Sequence, residues 1–409
     1  MNQANSTLNY QQVSIQNIEL GMYVVGIAQQ TCANEIKQTG RVTSKSQIQE
    51  LHRLGVRSVW IDPSRTRQAA AQPQAVARDG GQGSSDNGKD ESRPKQEQRI
   101  RRLYQEAKSM QVKLFRNLKK GEPVQVAELE AIADDLVDCI FDNRDALFCL
   151  ARIREKDSYL MEHSLNVGML LANFGRFLEL ERPILRELTI GGLLHDTGKI
   201  MIPDAVLHKP AKLSDDEFTL MKSHVTHSIE LLRDAKGITD IMMTVAACHH
   251  ERLDGRGYPH GLAAERLDLY ARMSTIVDVY DALTADRCYK PGMPATAAFR
   301  ILLQGAGSQF DEDLVRKFIK CMGIHPVGSL VKLQSGKLAI VVERNELAPL
   351  QPKVKVIYST IGQHHLEVKL LDLARAGANE SIESAVDPKA YGIDLRRYLA
   401  WDIRFPEEQ

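Results

Sequence analysis

At 409 residues the chain exceeds a typical single domain, so two or three domains are expected. With 43% hydrophobic and 26% charged residues it has the make-up of a globular protein. A formal net charge of zero leaves no global field to draw it to a nucleic-acid polymer or an anionic membrane.

The first twenty residues are polar and lack a basic-then-apolar leader pattern. No apolar run nears the about 18 residues of a membrane span, so a cytoplasmic protein without a membrane span is expected. The six cysteines (32, 139, 149, 248, 288 and 321) are scattered without a CxxC pair and read as free thiols.

Residues 1–62 read as a small α/β module. Ile15 to Ala28 is strand-rich and broken at Gly21. Ser44-Lys45-Ser46-Gln47 matches a capping box, with Ile48, Leu51 and Leu54 on one helical face and Gly55 at its end. Val56 to Ile61 (VRSVWI) reads as a strand. From Asp62 to Arg99 the only large aliphatic residue is Val76, too little to offset ordering entropy, and residues 63–95 read as a flexible linker.

A helix is expected from about Lys95, with Ile100, Leu103, Ala107, Met110 and Leu114 as its apolar stripe. Between Lys95 and Lys120 nine Lys/Arg face two Glu. The helix suits a coiled-coil homodimer stem, a surface for an anionic partner, or an apolar stripe packed on the chain's own domain with a solvated basic face; barely two heptads favour the last. Residues 96–322 carry successive helical patterns, such as Val126, Leu129, Ile132, Leu136 and Ile140. Ser214-Asp215-Asp216-Glu217 is a helix start ahead of His224. Residues 323–409 change texture: SLVKLQSGKLAIVVERN and KVKVIYS alternate apolar with polar and read as a hairpin and a further strand. The fold class is therefore mainly α, with a small α/β N-terminal module and a β-rich C-terminal extension.

Two stretches carry chemistry, LLHDTGK (Leu193–Lys199) and HHERLDGRGYP (His249–Pro259). Hydrolysis of a phosphate ester at neutral pH needs a strong nucleophile and cancellation of negative charge, and two metals bridged by a hydroxide meet both needs. Neutral imidazoles with carboxylates, one of them bridging, suit such a pair. On a continuing helix His195 can hold one ion while Asp196 bridges. Gly198 permits close approach, and Lys199, one turn on, can meet a phosphate oxygen. His249-His250 form a second pair, and His163, His224 and Asp278 lie on other expected helices. Taken singly, each of these three is more simply an ordinary helical residue. His227 is read as a surface histidine or one standing behind the ligands. DGRGYP can aim backbone N–H groups and the Tyr258 ring at a ligand, or be a plain helix–helix turn. Arg287 and Lys290 share a helix face that suits a phosphate or is a solvated basic edge.

With DSYLMEHSLNVG, HDTGKIMIPDAVLHKP, HVTHSIELL, HHERLDGRGYPHGL and DVYDALTADRCYK, residues 157–290 closely resemble the HD-GYP family of bacterial cyclic di-GMP phosphodiesterases, a branch of the HD-domain phosphohydrolases. Residues 8–62 resemble the uncharacterised module that often precedes this domain, especially in IELGMYV and VRSVWID. The resemblance implies metal ligands at His163, His195, Asp196, His224, His249, His250 and Asp278, with Asp196 bridging. It places Lys199, Arg287 and Lys290 at substrate phosphate and Tyr258 in the signature loop. It implies iron or manganese, and cyclic di-GMP as substrate, cut to pGpG and, after a second cut, to GMP. Members with a third metal carry a Glu one turn before the first histidine; Tyr159 stands there, so two divalent ions per chain are expected. Cys288 replaces a usual proline and Ser228 a common glycine, with small effects expected. Two other readings are open: the same chemistry on another cyclic dinucleotide or nucleotide, and a non-catalytic receptor signalling to a partner through the N-terminal module. No ligand candidate lies before His163, so deleting residues 1–94 is expected to leave measurable hydrolysis; total loss in a folded fragment would contradict it.

Overall fold

The computed structural model describes residues 11–19, 22–30, 40–42, 48, 56–61, 63, 92–151, 159–285, 292–375 and 377–399. The chain divides into two compact units near residue 86. In the first, β1 (Gln11–Ser14), β2 (Tyr23–Gln30), β3 (Gly40–Arg41) and β4 (Val56–Ile61) form one sheet in the order β1-β4-β2-β3, with antiparallel pairing. VRSVWI becomes the inner strand β4, burying Val56, Val59 and Ile61 with Ile15, Ile18, Val24 and Val42 while Trp60 faces out. The expected helix from Ser44, apart from Ile48, and most of the linker lie outside the described residues.

The second unit is helical and ends in a sheet. Its helices are α1 (Ser92–Lys119), α2 (Val126–Ala151), α3 (Tyr159–Phe177), α4 (Arg182–Leu194), α5 (Asp204–Leu207), α6 (Asp215–Arg233), α7 (Asp240–Cys248), α8 (Leu269–Thr284), α9 (Ala295–Gly305) and α10 (Glu312–Met322). The α1 stripe is buried in the chain's own core: Ile100, Leu103, Ala107 and Leu114 pack with Leu129, Ile132, Leu136 and Ile140 of α2. Burying this stripe against the unit's own helices is the alternative that two heptads favoured. A second core joins α3, α8, α9 and α10, where Phe174 and Phe318 meet edge-to-face at 5.2 Å. The helix starts follow local rules. Ser214 forms a full capping box with Glu217, and Asp268 and Asp311 cap α8 and α10. Helix α2 is kinked at Asn143, whose side chain accepts from the Ala146 N–H and restarts the helix.

The C-terminal strands β5 (Leu330–Leu333), β6 (Lys337–Glu343), β7 (Lys353–Ser359), β8 (His364–Asp372) and β9 (Ile382–Ala385) form an antiparallel sheet ordered β8-β7-β6-β5-β9. The β5–β6 hairpin turns at Gly336, with φ +74°. The stretch after β6 grips the helices: the Arg344 backbone N–H donates to Asp145 (2.9 Å) and its guanidinium to the Cys321 carbonyl. A last short helix, α11 (Arg396–Leu399), follows. Among the described residues, no helix is long and apolar enough to cross a membrane.

Helix α1 also reaches the segments that carry the candidate ligands. Lys108 Nζ lies 2.7 Å from the fully buried carboxylate of Glu162, and Gln111 Nε2 donates to the Leu193 carbonyl at 2.7 Å. Removing one member of a buried ion pair strands the other charge, so Lys108→Met is expected to cost about 3–5 kcal/mol. Chemical denaturation checks this, with recovery expected in Lys108→Met/Glu162→Gln; an unchanged midpoint in the single variant would show that Glu162 does not depend on Lys108.

Candidate metal centre

Helix α4 ends at Leu194, so His195 is its C-cap and Asp196 leads into a 3-10 turn, Thr197–Met201. This corrects the expectation that His195 and Asp196 share a continuing helix. The cause is packing: an added Cβ on Gly198 would stand 2.0 Å from the His224 carbonyl oxygen and 2.4 Å from the Ser228 nitrogen, so the chain must turn flat against α6. Ser228 completes the join. Its hydroxyl accepts from the Gly198 N–H (2.8 Å) and donates to the His195 carbonyl (2.9 Å). The residue standing where glycine is common therefore ties down the His-Asp turn.

Five elements deliver the candidate ligands to one buried place. His163 comes from α3, His195 and Asp196 from the end of α4, His224 from α6, His249 and His250 from the end of α7, and Asp278 from α8. Asp196 faces two ways. Its Oδ2 lies 3.4 Å from both His163 Nε2 and His195 Nε2, and its Oδ1 lies 3.3 Å from His224 Nε2 and 3.9 Å from His249 Nε2. Asp278 Oδ1 is 3.0 Å from His163 Nε2, and its Oδ2 is 3.7 Å from His250 Nδ1. Three overlapping donor groups result, each able to hold an ion: His163, His195 and Asp278; His224, His249 and His250; and His195, Asp196 and His249, which links the other two.

The hydrogen bonds behind the rings set which nitrogen faces inward. Nδ1–H of His195, His224 and His249 donates to the carbonyl three residues earlier, on Gly192, Met221 and Ala246, at 2.8, 2.7 and 3.0 Å. In a neutral ring so held, as at His224 and His249, Nε2 is then an acceptor aimed at other acceptors. His224 Nε2 and His249 Nε2 stand 3.3 Å apart, and His195 Nε2 and Asp196 Oδ1 are buried without a hydrogen-bond partner. Acceptor facing acceptor in a dry interior is costly unless a cation lies between. The donor set therefore fits divalent ions.

Electrostatics agree. Burial disfavours the His195 imidazolium, but the carboxylates of Asp196 and Asp278 overcome it and push its pKa up to about 10. Burial drives His224 down to about 3, His250 to about 4 and His249 well below the usual histidine range. Asp196 and Asp278 stay ionised, held well below the ordinary carboxylate range against burial: Asp196 chiefly by Lys199 and His195, Asp278 by His163 and His195. Without an ion the centre thus sets neutral imidazoles at His224, His249 and His250 beside ionised carboxylates, with a proton on His195 in the place that a cation would take.

Lys199 Nζ lies 2.5 Å from Asp196 Oδ2, at the edge of the cluster. Tyr258 lays its ring over His250, centroids 4.6 Å apart. His227 stays outside, with Nδ1 3.3 Å from Glu230. Arg287 and Lys290, and the side chain of Tyr159, lie outside the described residues.

Glu251 was not singled out by sequence. Its buried carboxylate accepts from the N–H groups of His260 (2.8 Å) and Leu262 (2.9 Å), stapling the loop that carries Tyr258. Gly257 lets that loop close, since a Cβ there would come within 2.4 Å of the Glu251 Cα. The readable signal was an acid immediately before a Gly-rich loop that offers free N–H groups.

Helices that bring an adjacent His–Asp pair, further histidines and a second carboxylate to one buried point define a metal-dependent HD-domain hydrolase. Comparison with known families agrees: residues 138–314 match the HD domain, residues 10–129 a domain of unknown function (DUF3391), and residues 330–392 the KOW domain associated with HD domain. The chain is 35% identical over 379 residues, 90% of each chain, to a cyclic di-GMP phosphodiesterase of Pseudomonas aeruginosa. It is 35% identical over 209 residues, 49% of this chain and 40% of the relative, to a cyclic di-GMP phosphodiesterase of Vibrio cholerae. It is also 33% identical over 171 residues, 42% of this chain and 32% of the relative, to a 3'3'-cGAMP-specific phosphodiesterase of Vibrio cholerae. The chain belongs to the HD-GYP family of HD-domain hydrolases.

Each charge-assisted bond that Glu251 makes to the loop contributes about 1.5–3 kcal/mol. Glu251→Ala is expected to speed amide hydrogen exchange at His260 and Leu262 strongly; unchanged protection would show the loop is held by other contacts.

Proposed function

We propose that this protein is a phosphodiesterase that hydrolyses cyclic di-GMP, opening the ring to linear pGpG. The observation that carries the reading is the carboxylate of Asp196, whose two oxygens face two separate donor groups in a dry pocket. The Pseudomonas relative, aligned over 90% of both chains, bears the name of that activity.

His163, His195 and Asp278 would hold one ion, His224, His249 and His250 a second, with Asp196 common to both. Such ions, iron or manganese by family resemblance, would supply acidified water and Lewis-acid neutralisation of phosphate charge. The chain's own groups do the rest. Burial of the ligands excludes bulk water and strengthens every charge interaction within the pocket. Lys199, held by Asp196, is a point charge within reach of a phosphate oxygen and stabilises the charge that grows there. Arg287 and Lys290 are assigned to the same phosphate by motif. Tyr258, on the loop stapled through Glu251, lies against His250, the one partly exposed candidate ligand. It is placed to contact a bound nucleotide.

A second reading keeps the chemistry and changes one base, because relatives at similar identity carry the name of 3'3'-cGAMP-specific enzymes. Turnover of cyclic di-GMP and 3'3'-cGAMP side by side separates the two, and chromatography of products separates pGpG from GMP. With cyclic di-GMP, Asp196→Ala is expected to lose about 100–1,000-fold in kcat, the range for a group on which charge stabilisation depends. Chelation is expected to abolish turnover and Mn(II) or Fe(II) to restore it. Full activity of Asp196→Ala, or of the chelated protein, would sink the reading; metal-loaded protein that binds without turnover would leave a receptor.

A further inference from the structure

The four buried histidines of the centre are not oriented alike. His195, His224 and His249 each give Nδ1–H to a carbonyl of their own helix. His163 does not. Its Nδ1 lies 2.8 Å from Oδ2 of Asp281, a carboxylate buried with it, so Nδ1–H donates to a full negative charge. Asp281 stands three residues after Asp278 on α8, one turn on, and Asp278 Oδ1 is 3.0 Å from His163 Nε2. One helix thus grips both nitrogens of this imidazole.

A carboxylate behind an imidazole fixes the tautomer with Nε2 free, orients the ring and makes Nε2 a stronger donor than a neutral carbonyl does. The two donor groups therefore differ in charge. The His163, His195 and Asp278 group contains one carboxylate and is backed by a second. The His224, His249 and His250 group consists of imidazoles, with carbonyls behind His224 and His249. They differ in access as well. The side chains of the first group are at most 6% exposed, whereas His250 in the second is 24% exposed. Asp196 is common to both and does not distinguish them.

We propose that Asp281 is a positioning residue that makes the His163, His195 and Asp278 group the tighter of two unequal metal positions, the one that fills first, leaving the His224, His249 and His250 group as the weaker, solvent-side position. This rests on the metal-centre reading above. Asp281 touches neither substrate nor ion in the proposal; it acts through His163.

The test is titration of metal-stripped full-length protein with Mn(II) alone, followed by calorimetry, with metal per chain counted by elemental analysis after gel filtration. Wild type is expected to show two affinity classes. Asp281→Asn keeps the size and an acceptor but removes the charge. It is expected to weaken the tighter class about 10–100-fold, the usual cost of losing such a support, while the weaker class keeps its affinity. His224→Ala, in the other group, is expected to remove the weaker class and spare the tighter. Circular dichroism and the thermal midpoint of the stripped variants establish that they are folded. Asp281→Glu, which retains the charge, is expected to recover part of the lost affinity if Asp281→Asn loses it. Two equal sites in wild type, an Asp281→Asn titration matching wild type, or equal weakening of both classes would each overturn the assignment. Absence of Mn(II) binding in wild type would instead overturn the metal-centre reading on which it rests.

Discussion

The contact on which the centre depends is between backbones: the turn after α4 lies flat against α6 at Gly198, with no room for a side chain. That approach puts Asp196, at the head of the turn, within 3.3 Å of His224 on the facing helix. Ser228 satisfies the backbone groups on both sides of the turn, so the join leaves no N–H stranded at Gly198. His195 keeps helical backbone angles, so Asp196 leaves the chain about 100° round from it, as on a helix, and the chain departs from the helix only beyond Asp196. The close packing at Gly198 then brings α6 near enough for one carboxylate to look toward histidines on both sides.

Such a cluster is unfavourable as pure protein. Burial neutralises His224, His249 and His250, while Asp196 and Asp278 remain charged because His195, His163 and Lys199 stand beside them. The result is electron-rich nitrogen and oxygen packed without enough protons to share. Proteins keep arrangements of that kind where a bound cation or a reaction repays their cost. The surrounding cores are conventional: aliphatic stripes from α1 and α2 on one side and the Phe174–Phe318 contact on the other hold the helices against this local strain.

Much of this was legible because it is written in local patterns. VRSVWI alternates and became a strand, Ser214 with Glu217 became a capping box, and the Ser335-Gly336 pair became the β5–β6 turn. The structure brings together the seven side chains named from HD, HH and their companions, since adjacency and helical spacing survive folding. What escaped was set by contacts between distant segments. His163 and Asp281 are 118 residues apart, and Gly198 and Ser228 are 30 apart. The end of α4 was missed for the same reason: residues 188–201 have no proline to stop a helix, and it is α6, packed across Gly198, that does so. Glu251 was passed over and Ser228 was expected to matter little because their partners are backbone groups, which carry no mark in a sequence.

The same logic assigns α1 a part in the centre. By composition it is a basic, solvated helix, yet two of its polar residues are turned inward, Lys108 onto Glu162 beside His163 and Gln111 onto the carbonyl of Leu193 two residues before His195. Each contact falls next to a ligand, on α3 and on α4. Hydrogen bonds and ion pairs in a dry interior are sensitive to small shifts, because an unmade partner there costs far more than at a surface. A displacement of α1 would therefore be felt first at His163 and at the turn carrying Asp196. The match to the domain of unknown function runs through α1 to residue 129, past the division near residue 86, so this helix belongs in sequence to the N-terminal region and in packing to the catalytic helices. Among the described residues, α1 lies within that match and packs beside His163 and His195, two candidate ligands of the same donor group.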